Sequence, residues 1–341
     1  MSKRVLLTGA AGFSGAHIVR HLMENTDWTI VSLDRLNYAG SLERLAEYKG
    51  NSRLKTLFHD FRAAFPAGIL HQMKGIDYVI HAGAETHVEN SLIDPLPFLE
   101  SNVIGTYHVL EAARQVGVEH FVYVSTDEVH GPAPDGVSYK EDATIRPTNP
   151  YSASKAGGEA IAYAYWRSFR VPVTLTRTMN LFGERQHPEK FIPMTIRKIR
   201  DGERVIVHGS LREGKEIIGS RKWIHARNQA DALLFVLTRL NANQIGCGEV
   251  FHIAGEEHTN LEIAEYIAKA IGKPLSAEII DYHSSRPGHD LRYSLDDSKL
   301  RSLGWYPPVP FWESLVRAVH WTLDHPQWLV GASPTVAATA R

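Results

Sequence analysis

Short apolar runs alternate with longer mixed segments through the first half of the chain. "RVLLT" (4–8), "TIVSLD" (29–34), "TLFHD" (56–60), "YVIHAG" (78–83) and "HFVYVST" (120–126) are nearly continuous in apolar residues. That pattern suits strands covered on both faces, as in a parallel sheet, rather than strands with one wet face. Between them, segments 14–25, 41–49 and 96–116 show helical periodicity, and parallel neighbours need such crossovers. The alternation predicts a doubly wound α/β fold. It continues with a helix over 151–169 and a strand "PVTLTR" (172–177).

Beyond that point the pattern becomes irregular. "NLFGERQHPEKFIP" (180–193) and "HGSLREGKEIIGSRKW" (208–223) carry glycine, proline and polar residues at loop spacing. A helix near 228–240 and the strand "EVFHIAG" (249–255) return to the first pattern, and 260–325 reads as two helices with the turn-rich "SSRPGHDLRYSLDD". The expected organisation is a Rossmann-type doubly wound parallel sheet, 1–179 with 224–256, beside a smaller mixed α/β substrate domain, 180–223 with 257–328. The end of the chain, 330–341, reads as a disordered tail.

Composition narrows the function classes. The chain has 341 residues, 43% hydrophobic and 22% charged, with a formal net charge of -1. It lacks the electrostatic footprint of a nucleic-acid or membrane-surface protein. Cys247 is the only cysteine, so no internal disulfide can form. No signal-peptide pattern or apolar run of spanning length occurs, and a cytoplasmic location is expected. The 18 histidines form no close-spaced ligand pair on one helix face, so no metal is expected.

Two constellations carry chemistry. "TGAAGFSG" places Gly9, Gly12 and Gly15 between the first strand and the first helix. Glycines there allow a tight turn and close approach of backbone to a pyrophosphate, and the helix start supplies free N–H groups. Asp34 ends the second strand about 20 residues further on, where a carboxylate binds ribose hydroxyls and repels a 2′-phosphate. That favours NAD over NADP, with the neighbouring Arg35 as a counter-signal. The second constellation is "NPYSASKAGGEA", with Tyr151 and Lys155 four residues apart on one helix face. A lysine cation beside a phenol is expected to bring its pKa toward neutrality and make it a proton acceptor for an alcohol losing hydride.

With "HAGAETHV", the strand-end "ST" and "YSASK" in this order, the chain resembles the extended short-chain dehydrogenase/reductase superfamily. The resemblance implies that Tyr151 is the acid/base, that Lys155 holds the nicotinamide ribose and that Thr126 hydrogen-bonds the substrate oxygen. It implies a supporting role for Asn102, and cofactor contacts at Phe13, Asp60, Ala82 and Ala84. "STDEVHG" adds two adjacent acids, and Thr126-Asp127-Glu128 resembles the dTDP-glucose 4,6-dehydratases, as do "LDRLNYAGSLERL", "HPEKFIP" and "RPGHDLRY".

By that resemblance Asp127 is the acid at sugar C6 and Glu128 the base at C5, a pair whose environments must set different protonation states. Thr86, Asn180, Lys190, Arg221, Asn260 and Arg286 match the side that holds the nucleotide sugar, and a homodimer formed through helices 96–116 and 151–169 is implied. The rival readings are a nucleotide-sugar epimerase or decarboxylase, which need no proton donor at C6, and a catalytically silent sugar-nucleotide sensor. Three departures stand out: His130 where the family usually has Tyr, Arg227-Asn228, and a long 208–223 loop. His130 has no role legible in the sequence.

Overall fold

The computed structural model describes residues 2–212, 215–281 and 292–330. Seven parallel strands form the main sheet: β1 (Arg4–Thr8), β2 (Thr29–Asp34), β3 (Leu54–Phe58), β4 (Tyr78–His81), β5 (His120–Thr126), β6 (Val173–Thr178) and β11 (Val250–Ile253). Their spatial order is β11-β6-β5-β4-β1-β2-β3. The chain starts at β1, moves outward to β3, then crosses back to β4. The order therefore reverses between β1 and β4, where open α/β sheets form a crevice beyond the carboxyl ends of the strands.

Both faces of the sheet are covered. Val5, Leu7, Ile80 and Val122 pack with Ile18, Leu22, Leu233 and Leu237 from helices Phe13–Asn25 and Ala226–Asn241 on one side. On the other, Leu6, Val79, Phe121 and Tyr123 meet Val109, Ala113 and Ala162 from helices Gly105–Val116 and Pro150–Phe169. Alternate residues of each strand feed opposite cores, which is why these strands read as continuous apolar runs rather than alternating ones.

The remaining strands are β7 (Asn180–Phe182), β8 (Val205–Arg212), β9 (Lys215–Ile218), β10 (Ser220–His225), β12 (Glu256–Thr259), β13 (Ala277–Asp281) and β14 (Arg292–Tyr293). β10 is central to one small sheet, flanked by β12, β14 and β7, while β8 pairs with β13 and β9 in another. Helices Phe191–Asp201, Asn260–Ile271 and Phe311–Asp324 enclose a separate core around Ile196, Trp223, Ile263 and Leu315.

Several elements differ from the pattern-based expectation. The 208–223 segment is not a loop: most of it belongs to β8, β9 and β10. Val205 and Val207 alternate into the core, a period of two that the glycines and charges further along obscured. Segment 41–49 is a 3₁₀ turn, Leu42–Tyr48, and three helices rather than two occupy the described part of 260–325. The long 96–116 helix is interrupted by a π segment, Glu100–Ile104. The wider turn there brings Asn102 inward, a distortion that helices commonly carry at functional sites. The tail 331–341 and Arg286 lie outside the described residues.

Candidate active site

A cleft of about 630 Å³ opens at the β1/β4 reversal and runs toward β10. Its cofactor end is shaped by close backbone approach. Gly9 has φ +70°, and a Cβ there would stand 2.6 Å from Gly83 Cα; a Cβ on Gly15 would fall 2.1 Å from the Gly9 carbonyl oxygen. No larger residue fits either position. The first helix starts at Phe13 with Gly12 as its N-cap and no side chain capping it, so its leading N–H groups remain available to phosphate.

Asp34 sits at the end of β2, its two oxygens accepting from the N–H of Ala11 (3.0 Å) and Leu36 (2.8 Å). The carboxylate is thereby fixed at the cleft wall. Arg35 is engaged by Glu85 and by Asp60 at 3.3 Å, which removes the sequence-level argument for a 2′-phosphate. Ala82 and Ala84 also line the cleft. Asp60 does not: its carboxylate is clasped by Arg62 at 2.7 Å and faces a shallow depression next door.

The chemistry-bearing side chains converge midway along the cleft. β5 ends at Thr126, which caps the 3₁₀ turn Asp127–His130 by accepting from Glu128 N at 3.4 Å. Its hydroxyl donates to Asp127 Oδ1 at 2.9 Å, while Asp127 Oδ2 is buried without a hydrogen-bond partner. Asp127 is only 4% exposed, and burial pushes its carboxyl up to about 6, against the pull of Thr126 and Arg221. A carboxyl that titrates this close to neutrality can exchange its proton at low cost, which suits a proton donor.

Helix Pro150–Phe169 brings Tyr151 and Lys155 to the same place. Lys155 Nζ donates to the Val124 carbonyl at 2.7 Å and lies 4.4 Å from the Tyr123 ring centroid. Burial brings its ammonium down to about 7, opposed by Glu159 one turn along. The expectation that Lys155 lowers the Tyr151 phenol is corrected here. Burial, with Glu128 and Asp127 beside it, holds the phenol well above its usual value, and only a hydrogen bond with Thr126 opposes them.

Asn102 braces the site. Its Nδ2 donates to the Glu85 carbonyl (2.9 Å) and to Ser154 Oγ (2.8 Å), and its Oδ1 accepts from Glu85 N (2.9 Å). The π segment is thus tied to both the cleft wall and the catalytic helix. At the far end Thr86, Asn180, Lys190, Arg221 and Asn260 all line the cleft. The Arg221 guanidinium stacks over Tyr293 at 4.8 Å.

His130 acquires a role. Its Nδ1–H donates to the Thr144 carbonyl at 3.1 Å, leaving Nε2 to accept from Arg177 Nη1 at 3.0 Å. Arg177 in turn pairs with Glu159 at 2.8 Å, both side chains being almost fully buried. One guanidinium therefore anchors the Asp127–His130 turn to the helix bearing Tyr151 and Lys155. Asn149, which the sequence reading passed over, joins the same two elements, with Nδ2 donating to Glu128 Oε2 at 3.1 Å. The signal was present, since asparagine before a helix-opening proline is a strong N-cap pattern.

The first helix, the turn after β7 and the end of β10 bring together His17, Glu184 and His225, ligand atoms within 4.8 Å, a convergence invisible to single-helix spacing. His17 Nε2–H donates to the Glu184 carbonyl at 3.0 Å. His225 Nδ1 accepts from Arg227 N at 3.0 Å, so its Nε2 carries the proton and faces Glu184 Oε2 at 3.1 Å. In this tautomer pattern neither Nε2 offers a metal a lone pair.

Residues 5–263 match the NAD dependent epimerase/dehydratase family. The chain belongs to that family. It is 35% identical to a mouse dTDP-D-glucose 4,6-dehydratase over 94% of this chain and 88% of the relative. It is 38% identical to the low-salt glycan biosynthesis protein Agl12 of Haloferax volcanii, over 94% and 98%. Among solved structures, a dTDP-glucose 4,6-dehydratase from Streptomyces venezuelae with NAD bound superposes with a TM-score of 0.85 at 36% identity, covering 95% of this chain and 98% of that one. A Thermus thermophilus UDP-glucose 4-epimerase in complex with NAD gives 0.81 at 29%, covering 93% and 98%. The cofactor of this family member is NAD, consistent with the glycine cradle and the fixed Asp34.

Proposed function

We propose that the protein dehydrates a nucleoside-diphosphate glucose, dTDP-glucose in the first instance, to the 4-keto-6-deoxy sugar. The observation that carries the choice over epimerisation is Asp127: a buried carboxyl whose pKa is raised to about 6, beside a second acid and next to the Tyr151 helix. An epimerase has no use for a proton donor at C6.

Gly9, Gly12, Phe13, Gly15, Asp34, Ala82, Ala84 and Lys155 would hold NAD, which would supply a reversible hydride store for the transfer from C4 to C6. Tyr151 is placed to take the O4 proton once its own phenol has ionised, with Thr126 orienting that oxygen. Oxidation at C4 acidifies the C5 hydrogen; Glu128 takes that proton, exchanges it with solvent and returns a proton to C5 as hydride reaches C6. Asp127 donates its proton to the C6 hydroxyl, which leaves as water. Burial raises the Asp127 carboxyl toward neutrality and so makes the donor form accessible. Arg221 is suited to a diphosphate because guanidinium binds such oxygens bidentately; Thr86, Asn180, Lys190 and Asn260 line the same end.

Residues 1–179 with 224–256 are read as the cofactor unit and 180–223 with 257–328 as the sugar-nucleotide unit. No helix among the described residues is long and apolar enough to cross a membrane, and the proposed setting is the cytoplasm. A homodimer is the proposed assembly. Leu96, Leu99, Ile104, Tyr107, Tyr163 and Phe169 stand exposed on the helices between 96 and 169, an apolar face that a second copy would cover. Incubation with dTDP-glucose and with UDP-glucose in deuterated water tests the activity. Loss of water with deuterium at C5 supports it, and a product of unchanged covalent formula contradicts it.

A further inference from the structure

The catalytic helix and the acid-bearing turn meet at one planar amide. Asn149 immediately precedes the helix, in extended conformation, and its Oδ1 accepts from Ser152 N at 2.8 Å while Ser152 Oγ accepts from Asn149 N at 3.2 Å. This reciprocal cap fixes the amide plane relative to the first helical turn, which carries Tyr151. With Oδ1 so committed, Nδ2 has one orientation, and it donates to Glu128 Oε2 at 3.1 Å. The opposite flip would set an NH₂ against the Ser152 N–H and an oxygen against a carboxylate, so the chemistry of the partners decides the assignment. Asn149 is buried, and so is the cap.

The backbone beside it is also tied to the turn. Arg146 N donates to the Val129 carbonyl at 2.9 Å, and a Cβ on Gly131 would stand 2.4 Å from the Arg146 carbonyl oxygen. The 146–149 segment therefore lies along the Asp127–His130 turn, and Asn149 delivers its amide to Glu128 from a fixed base. The other charged or titratable groups in this corner include Asp127 and His130 on the same turn, Arg146 on the adjoining segment, Tyr151 and Lys155 on the helix and Arg221 on β10.

We propose that Asn149 is a positioning residue for the reaction: its amide holds Glu128 in the frame of Tyr151, so that the group acting at C5 and the group acting at O4 keep a fixed separation. The proposal rests on the dehydratase reading given above. An ionised carboxylate is acceptor-only, so an N–H at Oε2 suits Glu128 as a base. Neither Glu128 nor Asn149 takes the O4 proton or the C4 hydride, which sets the two halves of the reaction apart.

The test uses Asn149→Ser, which keeps a capping oxygen for Ser152 N but removes the amide donor, and Asn149→Asp, which keeps the cap and places a carboxylate against Glu128. Single-turnover reduction of bound cofactor reports C4 oxidation, and deuterium entry at C5 reports the base. For Asn149→Ser the rate of C5 exchange falls about ten- to hundred-fold, the usual worth of one hydrogen bond to a charged group, with C4 oxidation unchanged. The fall is larger for Asn149→Asp. Unaltered C5 exchange in Asn149→Ser overturns the proposal. An equal loss in both halves also overturns it, because that pattern means the helix start has shifted and carried Tyr151 with it. Failure of the dehydratase reading looks different: the unsubstituted protein would then release no dehydrated sugar at all.

Discussion

Asp127→Asn should abolish dehydration and make the folded protein more stable at alkaline pH. The carboxyl is buried and titrates near 6 instead of its ordinary 3.8. Below about pH 3.8 both folded and unfolded chains hold the proton, and the group does not affect stability. Between about 3.8 and 6 the unfolded chain releases its proton first, so stability falls as pH rises. Above about pH 6 the full penalty is present: the two values lie about two pH units apart, and at about 1.4 kcal/mol per unit that is about 3 kcal/mol. Asparagine removes this penalty and keeps the Oδ1 acceptor for Thr126. Its amide, however, takes the place of an oxygen with no partner, which costs about 1–2 kcal/mol. The net gain is about 1–2 kcal/mol at about pH 8, shrinking by about 1 kcal/mol at about pH 5. Denaturant unfolding of both proteins at the two pH values measures it. A variant less stable than the parent at pH 8, or a difference independent of pH, would refute the burial argument.

Arg177→Met leaves Glu159 buried without its cation and should destabilise by about 3–5 kcal/mol, while Arg177→Met with Glu159→Leu recovers most of the loss; equal destabilisation by single and double variants would show that the pair is not the source. Leu99→Lys with Tyr107→Glu, on the exposed helical face, should shift sedimentation from dimer to monomer with the fold retained. A monomeric parent would remove the dimer proposal.

Much of this was legible in the chain because the physics is local. A parallel sheet buries both faces of each strand, so β1, β2, β4, β5 and β6 announce themselves as apolar runs. Gly9 and Gly15 are required by close backbone approach, and Tyr151 and Lys155 by helical spacing. What stayed hidden is non-local. His130 meets Arg177 across 47 residues and His17 meets Glu184 across 167, and no periodicity reports such meetings. The π segment around Asn102 has no simple sequence mark, and β8 was masked by Gly209 interrupting its alternation. The Tyr151 phenol shows a different limit. Spacing placed Lys155 correctly on the helix face, but the lysine donates to the Val124 carbonyl, and burial with two carboxylates sets the phenol.

The most direct test of the central claim follows one hydrogen. With dTDP-glucose deuterated at C4 and ordinary water as solvent, the label should appear on C6 of a 4-keto-6-deoxy product, because the hydride taken from C4 returns after water has left. Label still on C4 of a product with unchanged formula would identify an epimerase and contradict the roles given to Asp127 and Glu128.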